Sequence, residues 1–303
     1  MTRSQLKRYI RSRDKMISES PCDISLYMER AYFKVQLGDK QGALWDYDLV
    51  IALVHNYKAG YLFRGILKRD SGDVVESIID FNSAIKIDPD YFDAWYCKAD
   101  AKARLGNSAG AILDYNKVIE IDPLYADAFY YRGLEKFKLN RDPEAVEDLN
   151  RALELDPTNM EIYYNRGLAK MSVFDQEGAI EDFTKAIEEY PRHALAYCNR
   201  STVKFEKYDL TGAMEDCLKA LEIDPNFVEM YCSVGILKHE MGDLKGAFDN
   251  FSRAIELSSK YSRGWFLRGL LHHNLGFREA AAADLKMARS LGSRDAANFL
   301  REE

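Results

Sequence analysis

The 303-residue chain carries 42 Lys and Arg against 49 Asp and Glu, which gives a formal charge of -7 and a pI near 5.5. A chain of this charge is not a general binder of polyanions, although a local basic surface remains compatible with it. Hydrophobic residues make up 47% and charged residues 30%, which is typical of a folded protein rather than a disordered one. No run of eighteen apolar residues is present, so the sequence predicts no membrane-spanning helix.

The first residues and the cysteines both bear on the cellular compartment. Residues 1–16 have the positive charge of a secretion signal but lack the apolar stretch that should follow it. The five cysteines form no C-x-x-C pair, and their odd number argues against a disulfide framework. We therefore expect a cytoplasmic protein with reduced thiols.

The first predicted element is a helix within residues 1–23. Leu6, Tyr9, Ile10, Met16 and Ile17 recur at near-helical spacing among six Lys and Arg between positions 3 and 15. We expect this basic helix to cap the structure that follows it. The alternative is a basic arm that binds nucleic acid or acidic lipid.

From residue 24 onward the chain repeats every 34 residues. Five of the seven prolines lie at this spacing, and four of them follow an aspartate. Because proline cannot continue a helix and restricts the residue before it, each marks the end of a helix. The five are Pro89, Pro123, Pro157, Pro191 and Pro225.

We number the positions of each repeat 1 to 34 and call them slots, with slot 1 at residue 24. Slot 4 is always aromatic, slot 8 is Gly, Ala or Ser, slot 20 is Ala or Ser, and slot 27 is Ala or Val. This pattern predicts two helices per repeat, at slots 2–14 and 17–30, whose small residues let the backbones approach closely. One pair of short helices cannot bury its apolar face alone, so the repeats must stack. The eight repeats begin at residues 24, 58, 92, 126, 160, 194, 228 and 262 and together cover residues 24–295.

This period and slot pattern resemble the tetratricopeptide repeat. The resemblance implies an all-α fold, a right-handed α-solenoid in which the first helix of each pair lines a concave groove. Residues 296–303 are expected to form a C-terminal capping helix, whose polar face shields the last repeat as the end caps of stacked repeats must.

Departures from the usual repeat pattern predict ion pairs inside the fold. Slot 7, where the family has Leu, carries Arg or Lys in seven repeats, and slot 23 carries Asp in the same seven. The seventh repeat lacks both, with Val234 and Asn250 in their place, and a paired loss indicates contact. We therefore predict a structural bridge between the two helices of each repeat. The predicted pairs are Arg30–Asp46, Arg64–Asp80, Lys98–Asp114, Arg132–Asp148, Arg166–Asp182, Arg200–Asp216 and Arg268–Asp284.

An alternative function rests on the same cations. Slot 11, where the family has Tyr, carries Lys in seven repeats and His272 in the eighth. With slot 7 these side chains would form a basic track for nucleic acid along the groove. Both slots flank the core side of the first helix, which weighs against that interpretation.

The sequence contains no G-x-S-x-G, phosphate loop, H-E-x-x-H or dinucleotide fingerprint. We therefore expect no enzyme and no cofactor. Cys232 and His239 share one predicted helix, but their backbones would be about 10 Å apart along its axis. Zinc ligands must converge to about 2.0–2.3 Å from the ion, so we expect no metal site.

The inner slots predict a groove for a protein or peptide partner around repeats three to six. Their aromatic residues supply contact area at low entropic cost, and their asparagines can bond a peptide backbone in both directions. The alternative is that the tyrosines pack against neighbouring helices. The chaperone carboxylate clamp of some relatives is not expected, because slot 5 has no Lys and slot 9 has no Asn. The candidate groove residues are Tyr96, Tyr130, Tyr131, Phe137, Tyr164, Asn165, Met171, Asn199, Phe205, Arg104 and Lys138.

Overall fold

The computed structural model describes residues 1–302, and the regular structure in that range is entirely α-helical. The all-α fold predicted from the sequence is therefore confirmed. Within the described range, every helix is too short or too polar to cross a lipid bilayer. The helices are α1 Arg3–Glu19, α2 Ile24–Leu37, α3 Lys40–Leu53, α4 Lys58–Asp70, α5 Val74–Ile87, α6 Phe92–Arg104, α7 Ser108–Ile121, α8 Ala126–Lys138, α9 Asp142–Leu155, α10 Met160–Ser172, α11 Gln176–Glu189, α12 Ala194–Glu206, α13 Leu210–Ile223, α14 Val228–Glu240, α15 Leu244–Leu257, α16 Ser262–Asn274, α17 Arg278–Ser290 and α18 Arg294–Glu302.

The helices form two compact bodies, an N-terminal body of residues 1–158 and a C-terminal body from residue 159 onward. Within each body every helix packs against the next one along the chain. First helices of successive pairs also touch, as α4 touches α6 in the N-terminal body, and as α10 touches α12 and α14 touches α16 in the C-terminal body. Each body is therefore a stack of helix pairs, which is the organisation of an α-solenoid.

Close approach within a pair depends on slot 8. A Cβ added to Gly235 would lie 2.4 Å from the ring of Phe251, and one added to Gly167 would lie 2.7 Å from the ring of Phe183. Slots 8 and 24 vary together: Gly faces Phe or Leu, whereas Ala or Ser faces Tyr or Cys. The small residue therefore makes room for the specific side chain opposite it.

The second helices begin with a polar cap in most repeats. The side-chain oxygen of the capping residue accepts the backbone N–H three positions later, at 2.8–3.0 Å, which satisfies one of the unpaired donors at a helix start. This explains why these helices begin at slot 17, as predicted. The caps are Asp39, Asn107, Asp175, Asp209 and Asp243.

Helix α1 packs on α2 in the way that a second helix packs on the first helix of the following repeat. Arg30 Nη1 donates to Asp14 Oδ1 at 2.8 Å, and Arg64 Nη1 donates to Asp48 Oδ1 at 2.6 Å, again across 16 residues. Leu6 is buried on the packing side of α1. By this alignment α1 is the second half of a repeat, which fits the capping role proposed for it.

The last helix begins two residues before the predicted C-terminal cap. Ser293 Oγ accepts the backbone N–H of Ala296 at 3.2 Å, so the helix starts at Arg294 rather than at residue 296. Ala296 is fully buried in a cluster with Leu285 and Ala288 of α17.

Replacing Gly235 with Ala should lower the free energy of unfolding by about 1–3 kcal/mol, because the new methyl group overpacks against Phe251. Ser201→Ala is the matched control, since slot 8 of α12 already holds a Cβ, and it should cost about 1 kcal/mol or less through its lost hydrogen bond to the Cys198 carbonyl. Urea unfolding monitored by circular dichroism measures both values. Equal losses in the two variants would show that slot 8 is not the point of closest packing.

Candidate functional site

The seven predicted ion pairs each lie between the two helices of one repeat. In the six Arg-containing pairs, Nε and Nη2 donate to the two oxygens of one Asp at 2.5–3.1 Å. In the remaining pair, Lys98 Nζ lies 3.2 Å from Asp114 Oδ1. The seven aspartates are at most 5% exposed. This forked, buried geometry fixes the orientation of one helix relative to the other.

These arginines also contact groups other than their aspartates. The guanidinium carbon lies 5.0–5.6 Å from the centre of the slot 4 ring on the same helix, which is within the range of a cation–π interaction. In repeats four, six and eight, Arg132, Arg200 and Arg268 donate Nη1 to slot 25 of the preceding repeat at 2.7–3.2 Å. One arginine thus joins three helices. Slot 25 was not predicted from the sequence, although its residues are polar in six of the first seven repeats.

The exception at slot 25 is Leu218, which precedes the repeat that lacks its ion pair. There Val234 is buried in an apolar cluster with Met214 and Leu221, and Asn250 Nδ2 donates to the Gly246 carbonyl of its own helix at 2.7 Å. All three polar positions are therefore replaced together. A shared replacement of this kind supports a single interacting unit made of slots 7, 23 and 25.

The slot 11 side chains converge on the same aspartates. Six lysines place Nζ 2.6–3.0 Å from Asp Oδ2, and His272 Nδ1 lies 3.1 Å from Asp284 Oδ2. Lys238, whose repeat has no such aspartate, lies 3.6 Å from Asp243 Oδ2 instead. A phosphate could use these cations only by displacing partly buried carboxylate contacts. The geometry therefore weighs against the basic track for nucleic acid.

The aromatic candidates of the N-terminal body pack against one another. The rings of Tyr96, Tyr115 and Tyr131 have centroids 6.1–6.3 Å apart. Tyr131 remains 38% exposed, and burial raises the pKa of Tyr96 and Tyr131, so both hydroxyls stay neutral at physiological pH. Tyr130 is only 8% exposed and offers a partner little surface. The expectation that slot 5 supplies ligand-contacting tyrosines is thus not met at Tyr130, because slot 5 turns toward the core there.

The charged candidates of this body are exposed but already held by carboxylates. Arg104 Nε donates to Asp100 at 3.0 Å, and Lys138 Nζ donates to Glu135 at 2.6 Å. Glu135 is 3% exposed and stands at slot 10, which is apolar in every other repeat. Phe137, the remaining candidate, is half-buried.

In the C-terminal body the structure brings two candidates into direct contact. Asn199 Nδ2 donates to the Tyr164 hydroxyl at 3.1 Å, and the Tyr164 ring lies 4.6 Å from that of His193. Asn165 Nδ2 donates to the Glu161 carbonyl of its own helix at 2.8 Å. Met171 packs against the core around Phe183.

Two adjoining pockets lie on the first helices farther along this body. One is lined by Phe205 of α12, Ile236 of α14 and Arg263 of α16, and the second by Ile236 again with Leu267 and Leu270 of α16. Phe205 was a predicted groove residue, but the other four were not. The predicted groove residues were chosen for the tyrosines of repeats three to six. The signal that could have located these pockets is the apolar residue at slot 9 of repeats seven and eight, together with Leu267 at slot 6 of repeat eight.

Family models match much of the repeated region. A model described as TPR repeat matches residues 133–172, and one described as tetratricopeptide repeat matches residues 62–126. A further tetratricopeptide repeat model matches residues 161–193 and 194–227. A search of curated proteins gives no match.

Several solved structures share the fold. MamA is 28% identical over 55% of this chain and 96% of its own, with a TM-score of 0.52. YrrB, described as a TPR protein with an unusual peptide-binding site, is 22% identical over 61% of this chain and 95% of its own, with a TM-score of 0.54. A tetratricopeptide repeat protein from Parabacteroides merdae is 21% identical over 82% of this chain and 98% of its own, with a TM-score of 0.58.

Arg200→Ala tests the structural role of the ion pairs. We expect it to lower the free energy of unfolding by about 3 kcal/mol, at the low end of the range for breaking a buried pair, because Lys204 stays beside Asp216. Adding Asp216→Asn should cost little more, since the stranded carboxylate is then removed. Arg192→Ala, at an exposed position, is the control and should stay within about 0.5 kcal/mol of the wild type. Additive losses in the double variant, measured by chemical unfolding, would contradict the coupling.

Proposed function

Because the chain belongs to the tetratricopeptide repeat family, we propose that it is a non-enzymatic scaffold that binds a peptide segment or a partner protein on its first helices. The fold and its solved relatives support a protein-interaction role. One of those relatives, YrrB, is described as having a peptide-binding site. We propose the cytoplasm as its location, because five cysteines without a disulfide suit a reducing compartment.

The observation that carries this proposal is the pair of adjoining pockets on α12, α14 and α16. Ile236 belongs to both pockets, so two neighbouring apolar side chains of one ligand can enter them side by side. The second pocket is lined mainly by apolar side chains, and the first by apolar and polar side chains together, so the two can hold an apolar anchor and also orient it. We therefore place the main ligand contacts in the C-terminal body, from Phe205 onward.

Polar groups beside the pockets can orient the ligand. Thr202 and Ser233 line the first pocket, and each hydroxyl donates to a carbonyl of its own helix, at 3.1 Å and 3.2 Å, which leaves its lone pairs available to a peptide N–H. Arg263 is exposed at the rim and forms no ion pair with another residue in the described range. Its guanidinium can therefore donate hydrogen bonds to a carboxylate of the ligand.

Two thiols on the first helices of this body, the partly buried Cys198 and the buried Cys232, are poorly suited to catalysis. Burial raises the pKa of the Cys198 thiol to about 11 and that of Cys232 to about 12. Both are therefore protonated at neutral pH and poor nucleophiles. Within residues 1–302, no group of three or more His, Cys, Asp or Glu side chains is arranged to hold a metal ion.

A phage-displayed library of random twelve-residue peptides, selected on the wild-type protein, provides probes for this site. Ile236→Glu should weaken binding of the selected peptides at least tenfold, about 1.4 kcal/mol, because a carboxylate then occupies the wall shared by both pockets. Leu218→Glu is the matched control, since it adds the same charge at a half-exposed position on a second helix of the same body.

Two other outcomes distinguish a wrong position for the peptide site from a wrong function. If Tyr131→Ala and Tyr164→Ala weaken binding while Ile236→Glu does not, the ligand lies on the tyrosine-bearing repeats predicted from the sequence. A library that yields no peptide whose binding responds to any of these variants would overturn the groove proposal.

A further inference from the structure

The outer surface of the N-terminal body carries an apolar row that the fold does not use. Trp45, Ile79 and Leu113 occupy slot 22 of three successive second helices and are 64%, 54% and 65% exposed. Val75 on α5 and Leu53 on α3 add to this surface at 61% and 41% exposure. Exposed apolar surface of this extent, repeated at one structural position, is typical of an interface rather than of a solvated face.

Charged residues stand at slot 22 on both sides of this row. Glu147 of α9 follows Leu113 along the series and is exposed. On the other side, the contact between Arg30 and Asp14 aligns α1 with the second helices, and this alignment places Arg11 at slot 22. Arg11 and Glu147 are both exposed, and neither forms an ion pair with another residue that the structure describes. The slot 22 order is therefore basic, three apolar, acidic: Arg11, Trp45, Ile79, Leu113 and Glu147.

The helices at the two ends of this series carry opposite net charge over their whole length. Helix α1 has six Lys and Arg and two acidic residues, a net charge of +4. Helix α9 has five acidic residues and one Arg, a net charge of -4. The next three second helices carry a carboxylate at slot 22, in Glu181, Glu215 and Asp249, so the apolar row ends with the N-terminal body.

We propose that this surface is the interface of a symmetric homodimer. The two-fold axis lies between the two copies, parallel to α5 and over its exposed face. The axis exchanges α3 with α7 and α1 with α9, so Ile79 meets its own copy and Trp45 meets Leu113 of the second chain. It also brings Arg11 of each chain toward Glu147 of the other. An isologous interface requires a patch that is complementary to itself, and a row with apolar members at its centre and opposite charges at its ends satisfies that requirement.

The partner is a second copy of this chain because the slot 22 row is complementary to its own reverse. When two copies run in opposite directions, the basic end of each faces the acidic end of the other. Homodimer interfaces have the most apolar cores, and a stable one removes about 800 Å² from each partner, which a surface spanning three to five helices can supply. The opposite charges at the ends set the register and speed association more than they add affinity. The proposed peptide site lies on first helices, so ligand binding and dimerisation use different surfaces.

Sedimentation velocity over a range of protein concentrations, on the full chain, tests the proposal. The wild type should sediment as a dimer at micromolar concentration, and Ile79→Glu should raise the dissociation constant more than a hundredfold, because two carboxylates then face each other across the axis. Glu181→Arg, which changes the same slot outside the row, is the control and should leave the dimer intact. Circular dichroism should show unchanged folding in each variant, since these side chains are exposed.

Exchanging the charges of Arg11 and Glu147 tests the proposed contact between the two chains directly. Arg11→Glu and Glu147→Arg should each weaken the dimer about tenfold, and the double variant should restore it, which only contact between those two positions across the axis explains. In a Cys22→Ser background, Ile79→Cys should form a disulfide-linked dimer on mild oxidation, whereas Leu113→Cys alone should not. A wild type that remains monomeric at about 100 μM, a dimer indifferent to Ile79→Glu, or a double charge variant without recovery would each overturn the proposal.

Discussion

A buried carboxylate on the second helix of almost every pair sets the register of this stack. An aspartate that is at most 5% exposed must be paired, because an uncompensated charge in the interior is strongly unfavourable. It receives the fork of an arginine and, in most repeats, the amine of a lysine from the first helix. The same arginine reaches back to the preceding pair, so one cluster of charges positions three helices at once. Such a cluster adds geometric specificity more than net free energy.

This use of charge decides which surfaces are left for partners. The cations at slots 7 and 11 look like a basic track in the sequence, but they turn toward the aspartates and are largely hidden. The first helices therefore present aromatic and aliphatic side chains, with a few polar groups between them, to whatever binds there. Repeat seven shows that the stack can also be built without the charges, since Val234 fills the same position with an apolar contact.

The sequence predicted candidate residues on the first helices but none on the outer surface of the second helices. The inner candidates were chosen by residue type, and the structure separates them by environment: Tyr131 is open to solvent, Tyr130 is buried, and Arg104 and Lys138 are each held by a carboxylate. The pockets around Ile236 were missed because they are made of ordinary aliphatic residues on three different helices. The outer row was missed as well, because its pattern appears only when α1 is aligned with the second helices by the contact between Arg30 and Asp14.

The sequence by itself determined the helix pairs, their period and the partners of the buried aspartates. These features are local or recur in most of the eight repeats, so small residues, prolines and paired substitutions reveal them without coordinates. Only the tertiary structure decided which tyrosines remain exposed, where neighbouring helices leave a pocket, and which residue of a preceding repeat completes each arginine cluster. Those outcomes depend on the distance and rotation between helices that are 16 to 34 residues apart, and residue type alone does not fix either quantity.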